Sequence, residues 1–278
     1  MPGTEKIRTL QEWSAEQLQH YMLAHHPEDY YLIDVRQLPA YAVEHLPGAL
    51  RIPAEDLPGR LATLDASKTT IVYCDEGALS HVAAQIMSKS GFPDVHVLEG
   101  GLQAWQHGTV SGSPQQVCVP LFGAGDVKDQ AVLAWSMEET ARCFYQEMAD
   151  TLEDAEVAAL FAQLATAEKH HKTLLKELWE ALAGQTAKET FSAGTSASDL
   201  MEGGVRLEEA LHWAAESRPA QIIDFAMAME LSAFDHYLYL HRNLTDPDSQ
   251  RLFEVLADEE RHHLKDLGKA LDRLRKTP

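Results

Sequence analysis

Residues 164–174, LATAEKHHKTL, combine two patterns that conflict in an ordinary amphipathic helix. Leu164 and Ala167 recur at the spacing of an apolar helix face. Glu168 and His171 lie on that same face, because residues three apart are separated by only about 60° around a helix. Burying an unpaired carboxylate is costly. The stretch therefore predicts a helix whose buried face carries charge that another group must neutralise.

The same motif occurs again near the end of the chain, and a second pair of segments repeats with it. The matched segments are 164–174 with 256–266 (LADEERHHLKD), and 135–145 (WSMEETARCFY) with 227–237 (MAMELSAFDHY). The number of residues from Glu138 to Glu168 in the first copy equals the number from Glu230 to Glu260 in the second copy. This register is expected of an internally duplicated helical hairpin.

Long amphipathic segments make up the second half of the chain. They lie near residues 128–152, 155–183, 219–243 and 248–275. A long connection at about 184–218, with a short helical piece inside it, separates the first two segments from the last two. Two hairpins joined by one long crossover have the connectivity of a ferritin-like four-helix bundle.

Carboxylates and imidazoles from all the predicted helices share the apolar face of this bundle. They are Glu138, Glu168, His171, Glu230, Glu260 and His263. Facing carboxylates repel one another, and metal cations remove that repulsion. We therefore predict a site for two metal ions, with iron or manganese favoured by these ligands and zinc as an alternative. The other interpretation, surface charges that coincide with the apolar spacing, fits a single motif better than a duplicated one.

Two tyrosines lie on the same helix faces as the predicted ligands. Tyr145 and Tyr237 each follow the first glutamate of their hairpin by two helical turns. Hydrogen bonding to a ligand carboxylate and simple core packing are both open to them. The adjacent histidines, His170 and His262, fall on the opposite side of their helices, and we expect them to face solvent.

The first part of the chain alternates short β-rich runs with helical segments. The β-rich runs are YYLIDVR (30–36), GALRIP (48–53), TTIVYC (69–74) and DVHVLEG (94–100). This alternation predicts a parallel sheet covered by helices on both faces. Gly, Ser and Pro concentrate in residues 107–127 and indicate a linker. We therefore predict an α/β domain at 1–106, this linker, and an all-α domain at 128–278.

Cys74 stands where a predicted strand ends and a helix begins near Ala78. Backbone N–H groups and the positive end of a helix dipole at such a junction favour the thiolate over the thiol. The residue is therefore suited to accept a sulfur atom and to hold it as a persulfide among the loop amides. A buried structural cysteine is the other interpretation of its position.

Residues 8–106 resemble a rhodanese domain. The matching features are the Asp34-Val35-Arg36 strand end, the His45-Leu46-Pro47-Gly48-Ala49 turn, the cysteine loop and the Gly100-Gly101-x-x-x-Trp105 ending. The resemblance implies that Cys74 is the nucleophile that forms a persulfide. It also implies that the following loop binds the substrate, through Asp75, Glu76, Gly77, Ala78 and Leu79.

The cysteine loop departs from the common pattern of that family. Leu79 stands in place of an arginine, and Asp75 and Glu76 add negative charge. Both changes disfavour a dianion such as thiosulfate. We expect a small persulfide or polysulfide donor, or a protein partner, instead.

Residues 128–275 resemble the rubrerythrin branch of the ferritin-like superfamily, on the four helix motifs quoted above. The resemblance implies a di-iron site that reacts with dioxygen or peroxide. Ala233 stands where rubrerythrins usually carry one more ligand glutamate, and the sequence contains no paired Cys-x-x-Cys of a rubredoxin module. Reduction of peroxide would therefore need an external electron donor.

Charge and cysteine content restrict the partners and the compartment. A formal net charge of −20 argues against binding to nucleic acid or to anionic lipid. The three cysteines, Cys74, Cys118 and Cys143, are widely spaced and odd in number, which favours a reducing compartment. With no apolar run of signal-peptide or membrane-span length, the sequence predicts a cytoplasmic protein.

The predicted function joins the two domains. We expect a sulfurtransferase that uses Cys74, coupled to a dinuclear metal domain in sulfur or oxidative-stress metabolism. The alternatives are a metal-storing or metal-sensing protein and a peroxide-reducing enzyme, with the rhodanese-like domain as a sulfur carrier or a recognition module. A homodimer is also expected, since ferritin-like bundles often pair.

Overall fold

The computed structural model describes residues 10–112, 127–183 and 199–276. The chain divides into two compact units, Met1–Ser111 and Gly112–Pro278. The first unit continues past residue 106, because the backbone N–H and C=O groups of Val110 pair with those of His45, both at 2.9 Å. Cys118, most of the predicted linker and part of the predicted crossover lie outside the described residues.

The first unit is built on a five-stranded, all-parallel sheet of order β1-β5-β4-β2-β3. The strands are β1 (Gln11–Trp13), β2 (Tyr30–Asp34), β3 (Leu50–Arg51), β4 (Thr69–Tyr73) and β5 (Val95–Leu98). The helices are α1 (Ala15–Ala24), α2 (Leu38–Val43), α3 (Leu57–Arg60) and α4 (Ala78–Lys89). The structure adds β1, which the sequence pattern did not predict, at the edge beside β5.

Both faces of this sheet are covered, as predicted. Alternate strand residues point to opposite faces, so neighbouring residues of β4 belong to different cores. Val72 packs with Ala83 and Met87 of α4. Ile71 packs in the other core with Leu18 of α1. The result is an α/β sandwich with β4, the strand before Cys74, at its centre.

The second unit contains two long helical hairpins, as predicted. Its helices are α5 (Val127–Thr151), α6 (Ala155–Ala183), the short crossover helix α7 (Leu207–Ala215), α8 (Pro219–Asn243) and α9 (Pro247–Lys276). A short 3-10 helix, Glu202–Gly204, precedes α7. No helix among the described residues is both long and apolar enough to cross a membrane.

Two apolar cores occupy the bundle, one on each side of a polar layer. Every long helix contributes side chains to both cores. Along the helix, its predicted ligands lie between the residues of one core and the residues of the other. On α5, for example, Ala134 belongs to one core and Ala141 to the other, with Glu138 between them. The polar layer is therefore enclosed from both ends by packed side chains.

The buried face of α6 differs slightly from the apolar face that the sequence spacing predicts. Phe161, Ala165 and Leu175 are buried. Ala167, which the spacing places on the apolar face, and Leu174 are only partly buried. A bundle helix packs against more than one neighbour, so its apolar face is wider than a single stripe and its centre is set by packing. Glu168 and His171 remain at the centre of that face and are fully enclosed.

Candidate metal centre and cysteine loop

All the predicted metal ligands of the bundle lie together in two overlapping groups. One group comprises Glu138, Glu168, His171 and Glu260, and the other comprises Glu168, Glu230, Glu260 and His263. Within each group, one nitrogen or oxygen atom from every residue lies within 4.8 Å of the others. Glu168 and Glu260 belong to both groups, so these two carboxylates would be available to a metal ion in either group.

His171 Nδ1 and Glu168 Oε2 lie close to each other, and His171 Nδ1 also lies close to oxygens of neighbouring predicted ligands. His171 Nδ1 lies 3.0 Å from Glu168 Oε2, and 3.4 Å from oxygens of both Glu138 and Glu260. Among the described residues, neither Glu168 Oε2 nor His171 Nδ1 has a hydrogen-bond partner, although both atoms are buried. Buried polar atoms are rarely left unpaired. A cation among these atoms would pair them, so the residues fit a metal ion.

The second group is also closely packed. His263 Nδ1 lies 3.0 Å from Glu230 Oε2 and 2.9 Å from Glu260 Oε2. The rings of His171 and His263 stack with their centroids 5.6 Å apart. The histidines therefore lie beside each other, one in each group, as expected from the duplicated Glu-x-x-His motif.

The carboxylates of the centre divide into two kinds by pKa. Burial, followed by the charge of Glu138, raises the pKa of Glu168 well above its usual value. Burial and then the charge of Glu230 do the same for Glu260. Burial also opposes ionisation of Glu230, but a hydrogen bond from Glu260 and the charge of His263 lower its pKa to about 2. The raised pKa values of the two shared glutamates oppose their ionisation, which a bound metal ion would favour.

Tyr145 and Tyr237, whose roles the sequence left undecided, hydrogen-bond to carboxylates of predicted ligands across the bundle. Tyr145 of α5 donates to Glu230 of α8, and Tyr237 of α8 donates to Glu138 of α5. Both rings are fully buried. They therefore serve core packing and carboxylate orientation together, and the two sequence interpretations do not exclude each other.

Glu259 is a contact that the sequence analysis missed. Its Oε2 lies 2.8 Å from Nε2 of His171, which directs Nδ1 of that ring towards the carboxylates. Ala167 occupies the equivalent position in the first copy of the repeat, so the duplication does not supply the same partner to His263. A carboxylate on the far nitrogen of a ligand histidine fixes its tautomer and raises its basicity.

In the first unit, Cys74 lies directly after β4 and is buried at the start of the loop that leads into α4. The N–H of Gly77 donates to Cys74 Sγ at 3.2 Å. Gly77 has a φ of 102°, a left-handed conformation in which glycine is favoured. One amide of the loop, that of Gly77, therefore donates to the sulfur.

Ser80, which the sequence analysis did not select, also contacts the sulfur. The Cys74 thiol lies 3.5 Å from Ser80 Oγ, and that hydroxyl donates to the carbonyl of Gly77 at 2.8 Å. By contrast, the predicted loop residues Asp75, Glu76, Ala78 and Leu79 have exposed side chains. Only the Gly77 amide and Ser80 are placed by these hydrogen bonds against the sulfur atom.

The negative charge of the loop is partly balanced from within the fold. The buried guanidinium of Arg36 donates to Asp75 at 2.7 Å and to both carboxylate oxygens of Asp34. Glu76 accepts a hydrogen bond from the neutral amide of Gln103 at 3.2 Å. Arg36 thus ties the strand end to the cysteine loop and offsets one of its two acidic residues.

Gly101 closes the loop from the other side. Its φ is 62°, and a Cβ atom there would overlap the carbonyl oxygens of Cys74 and Asp75. The next residue, Leu102, donates its N–H to the Cys74 carbonyl at 2.8 Å. The double glycine of the sequence therefore allows the chain to pass against the backbone of the cysteine loop.

These features define a ferritin-like bundle with a carboxylate–histidine centre, joined in one chain to a rhodanese-like α/β unit. The Rubrerythrin family model matches residues 132–218 and 221–278, more than half of the chain. The chain belongs to the rubrerythrin family. The model for the Rhodanese-like domain matches residues 14–107. Both resemblances, and the predicted fold class of each part, are confirmed.

Three curated relatives each match less than a third of this chain. The sulfurtransferase of Allochromatium vinosum is 32% identical over 89 residues, 32% of this chain and 83% of that protein. The thiosulfate sulfurtransferase GlpE of Stutzerimonas stutzeri is 32% identical over 76 residues, 27% of this chain and 70% of that protein. The protein YtwF of Bacillus subtilis is 37% identical over 79 residues, 28% of this chain and 76% of that protein.

Proposed function

We propose that this protein is a rhodanese-type sulfurtransferase that carries sulfane sulfur as a persulfide on Cys74. The observation that carries the proposal is the Gly77 N–H, which donates to Sγ at 3.2 Å where α4 begins. A backbone donor and a helix N-terminus both favour negative charge on sulfur. The sulfurtransferase relatives support the same reaction class.

The proposed transfer has two steps. The Cys74 thiolate attacks the outer sulfur of a donor R–S–SH, the donor S–S bond breaks, and RS⁻ leaves while a Cys74 persulfide forms. An acceptor nucleophile then attacks the outer sulfur of that persulfide, and the Cys74 thiolate is regenerated. No net oxidation occurs. The Gly77 N–H is positioned to stabilise the anionic sulfur in both steps.

We propose a small persulfide or polysulfide as the donor in preference to thiosulfate. Arg36 offsets the charge of Asp75, but its guanidinium is buried and already bonded to Asp34 and to Asp75. Leu79 supplies no cation, and Glu76 is an exposed acidic residue of the same loop. A dianionic donor would therefore meet little positive charge.

We further propose that the bundle binds two metal ions, with iron expected and manganese or zinc as alternatives. Glu168 and Glu260 would be shared between the ions, with Glu138 and His171 beside one and Glu230 and His263 beside the other. When bound, redox-active ions would supply the electron transfer needed to reduce dioxygen or peroxide. An external electron donor would complete such a cycle.

The presence of both units in one chain supports a role in sulfur or oxidative-stress metabolism. We expect a cytoplasmic protein with small sulfur-containing substrates, no nucleic-acid or membrane partner, and a second copy as its own partner. The second candidate function is metal binding or peroxide reduction by the bundle, with the first unit as a sulfur carrier. The clustered ligand atoms of the bundle support it.

Steady-state transfer of sulfane sulfur to cyanide tests the leading proposal. Wild type should form thiocyanate, and faster from glutathione persulfide than from thiosulfate. Cys74→Ser should lose the activity, while Cys143→Ser, on α5 in the bundle, should retain it. Equal rates for wild type and Cys74→Ser would refute the assignment. Peroxide consumption by the iron-loaded Cys74→Ser protein, with a chemical reductant, would instead support the second candidate.

A further inference from the structure

A buried carboxylate of the crossover, Glu202, has no role in the centre described so far. Its side chain is only 5% exposed. Its Oε1 atom is buried and has no hydrogen-bond partner among the described residues. A buried polar group without a partner is costly. A glutamine or methionine would fill the same space at lower cost if packing were its only role.

The loop that carries Glu202 is closed by its own backbone. The Met201 N–H donates to the Val205 carbonyl at 2.8 Å, and the Leu207 N–H donates to the Asp199 carbonyl at 2.9 Å. Gly204, at a φ of 79°, makes the turn between them. Met201 is fully buried in the bundle core beside residues of α5 and α8. This anchoring holds Glu202 inside the bundle on the short 3-10 helix.

Glu202 lies on a 3-10 helix beside two of the helices that carry predicted ligands. The 3-10 helix packs against α5 and α8, the helices that carry Glu138 and Glu230. Burial and then the charges of those two glutamates raise the pKa of Glu202 to about 8. Burial, and then the charges of Glu138 and Glu202, raise the pKa of Tyr237, whose hydroxyl donates to Glu138. Glu202 thus adds a third buried carboxylate to Glu138 and Glu230 on this side of the bundle, and a cation would pair them.

We propose that Glu202 is a further ligand of the metal centre, supplied by the crossover and not by a long helix. It approaches from the side of α5 and α8, whereas the histidines come from α6 and α9. The proposal rests on the metal site of the proposed function. It adds a carboxylate to the six residues found from the repeat, and it makes the centre asymmetric, because only one crossover exists between the two hairpins.

Cobalt binding to the full-length protein tests this assignment. Co²⁺ is titrated into metal-free protein while the visible absorption bands of the bound ion are recorded. Glu202→Gln preserves the shape of the side chain and should weaken binding of at least one ion by about tenfold or more. It should also change the absorption spectrum. Glu209→Gln, at an exposed position of α7, should behave as wild type.

A purely structural role makes a different prediction. Glu202→Gln would then change the melting temperature of the metal-free protein while Co²⁺ affinity and spectrum stayed as in wild type, and that result would overturn the proposal. If the glutamine variant does not fold, the same measurements are made on Glu202→Met, whose side chain has a similar length. If wild type binds two ions and both variants match it, only the Glu202 assignment fails. If wild type binds none, the proposed metal centre fails with it.

Discussion

The hydroxyl of Tyr145 on α5 donates a hydrogen bond of 2.5 Å to Oε1 of Glu230 on α8. Tyr237 on α8 returns the same contact to Glu138 on α5. Each hairpin therefore supplies the donor that orients a glutamate of the other. The repeat therefore relates the tyrosines that hydrogen-bond to the predicted ligands, as well as the ligands themselves.

Tyr145→Phe should weaken metal binding while leaving the bundle folded. The substitution keeps the ring but removes a hydrogen bond that lowers the pKa of Glu230. We expect a loss in Co²⁺ affinity of roughly tenfold to a hundredfold, typical of groups that orient metal ligands. Tyr239→Phe, at a partly buried position of α8, is the control. Equal affinity for both variants would show that the Tyr145 hydroxyl serves packing alone.

The two shared glutamates should be needed for both ions. Glu168→Ala combined with Glu260→Ala should reduce the metal content to near zero after loading and dialysis, because both groups of ligands lose two members. Metal should raise the melting temperature of wild type, since a ligand that binds only the folded state stabilises it, but not that of the double variant. Glu177→Ala, exposed on α6, is the control. Retention of wild-type metal content by the double variant would exclude these ligands.

Metal binding should release protons and strengthen with rising pH. Burial and neighbouring carboxylates raise the pKa values of Glu168 and Glu260, so both hold protons at a pH where ordinary glutamates are ionised. A metal ion must displace those protons. Calorimetric titration in buffers of different ionisation enthalpy measures the number released, and affinity measured across pH gives the same sign. Affinity that is independent of pH would contradict this account.

Gly101→Ala should destabilise the first unit. The left-handed backbone of Gly101 costs a residue with a side chain about 1–3 kcal/mol, and its new Cβ would overlap two carbonyl oxygens of the cysteine loop. Gly59→Ala is the matched control, because a Cβ there meets no atom within 4 Å and the residue lies in a helix. Denaturant unfolding followed in the first unit should separate the two variants. Similar midpoints would argue against the tight passage at Gly101.

The long helices and the clustering of the six candidate ligands could be predicted because both depend on local repetition. An apolar period indicates a helix, and a duplicated Glu-x-x-His motif on that period indicates a shared centre. The interval in sequence from Glu138 to Glu168 equals the interval from Glu230 to Glu260, and this places the glutamates of both hairpins in one layer. The strand before Cys74 was similarly evident, since buried parallel strands are short apolar runs.

Contacts made by a single residue across the fold could not be predicted in the same way. Glu202 lies in an irregular crossover without periodicity, so its burial depends on where that loop packs. Glu259 adjoins a motif glutamate, but its match in the first copy is Ala167, so the repeat gives no signal for it. The Arg36 contact with Asp75 joins two loop ends that only the completed sheet brings together.

The most direct test of the metal centre is a crystal structure of the iron-loaded protein with anomalous data collected at the iron edge. The account predicts two anomalous peaks in the bundle, both bordered by Glu168 and Glu260, with His171 beside one and His263 beside the other. A bundle without anomalous peaks, or iron bound only outside these residues, would contradict it.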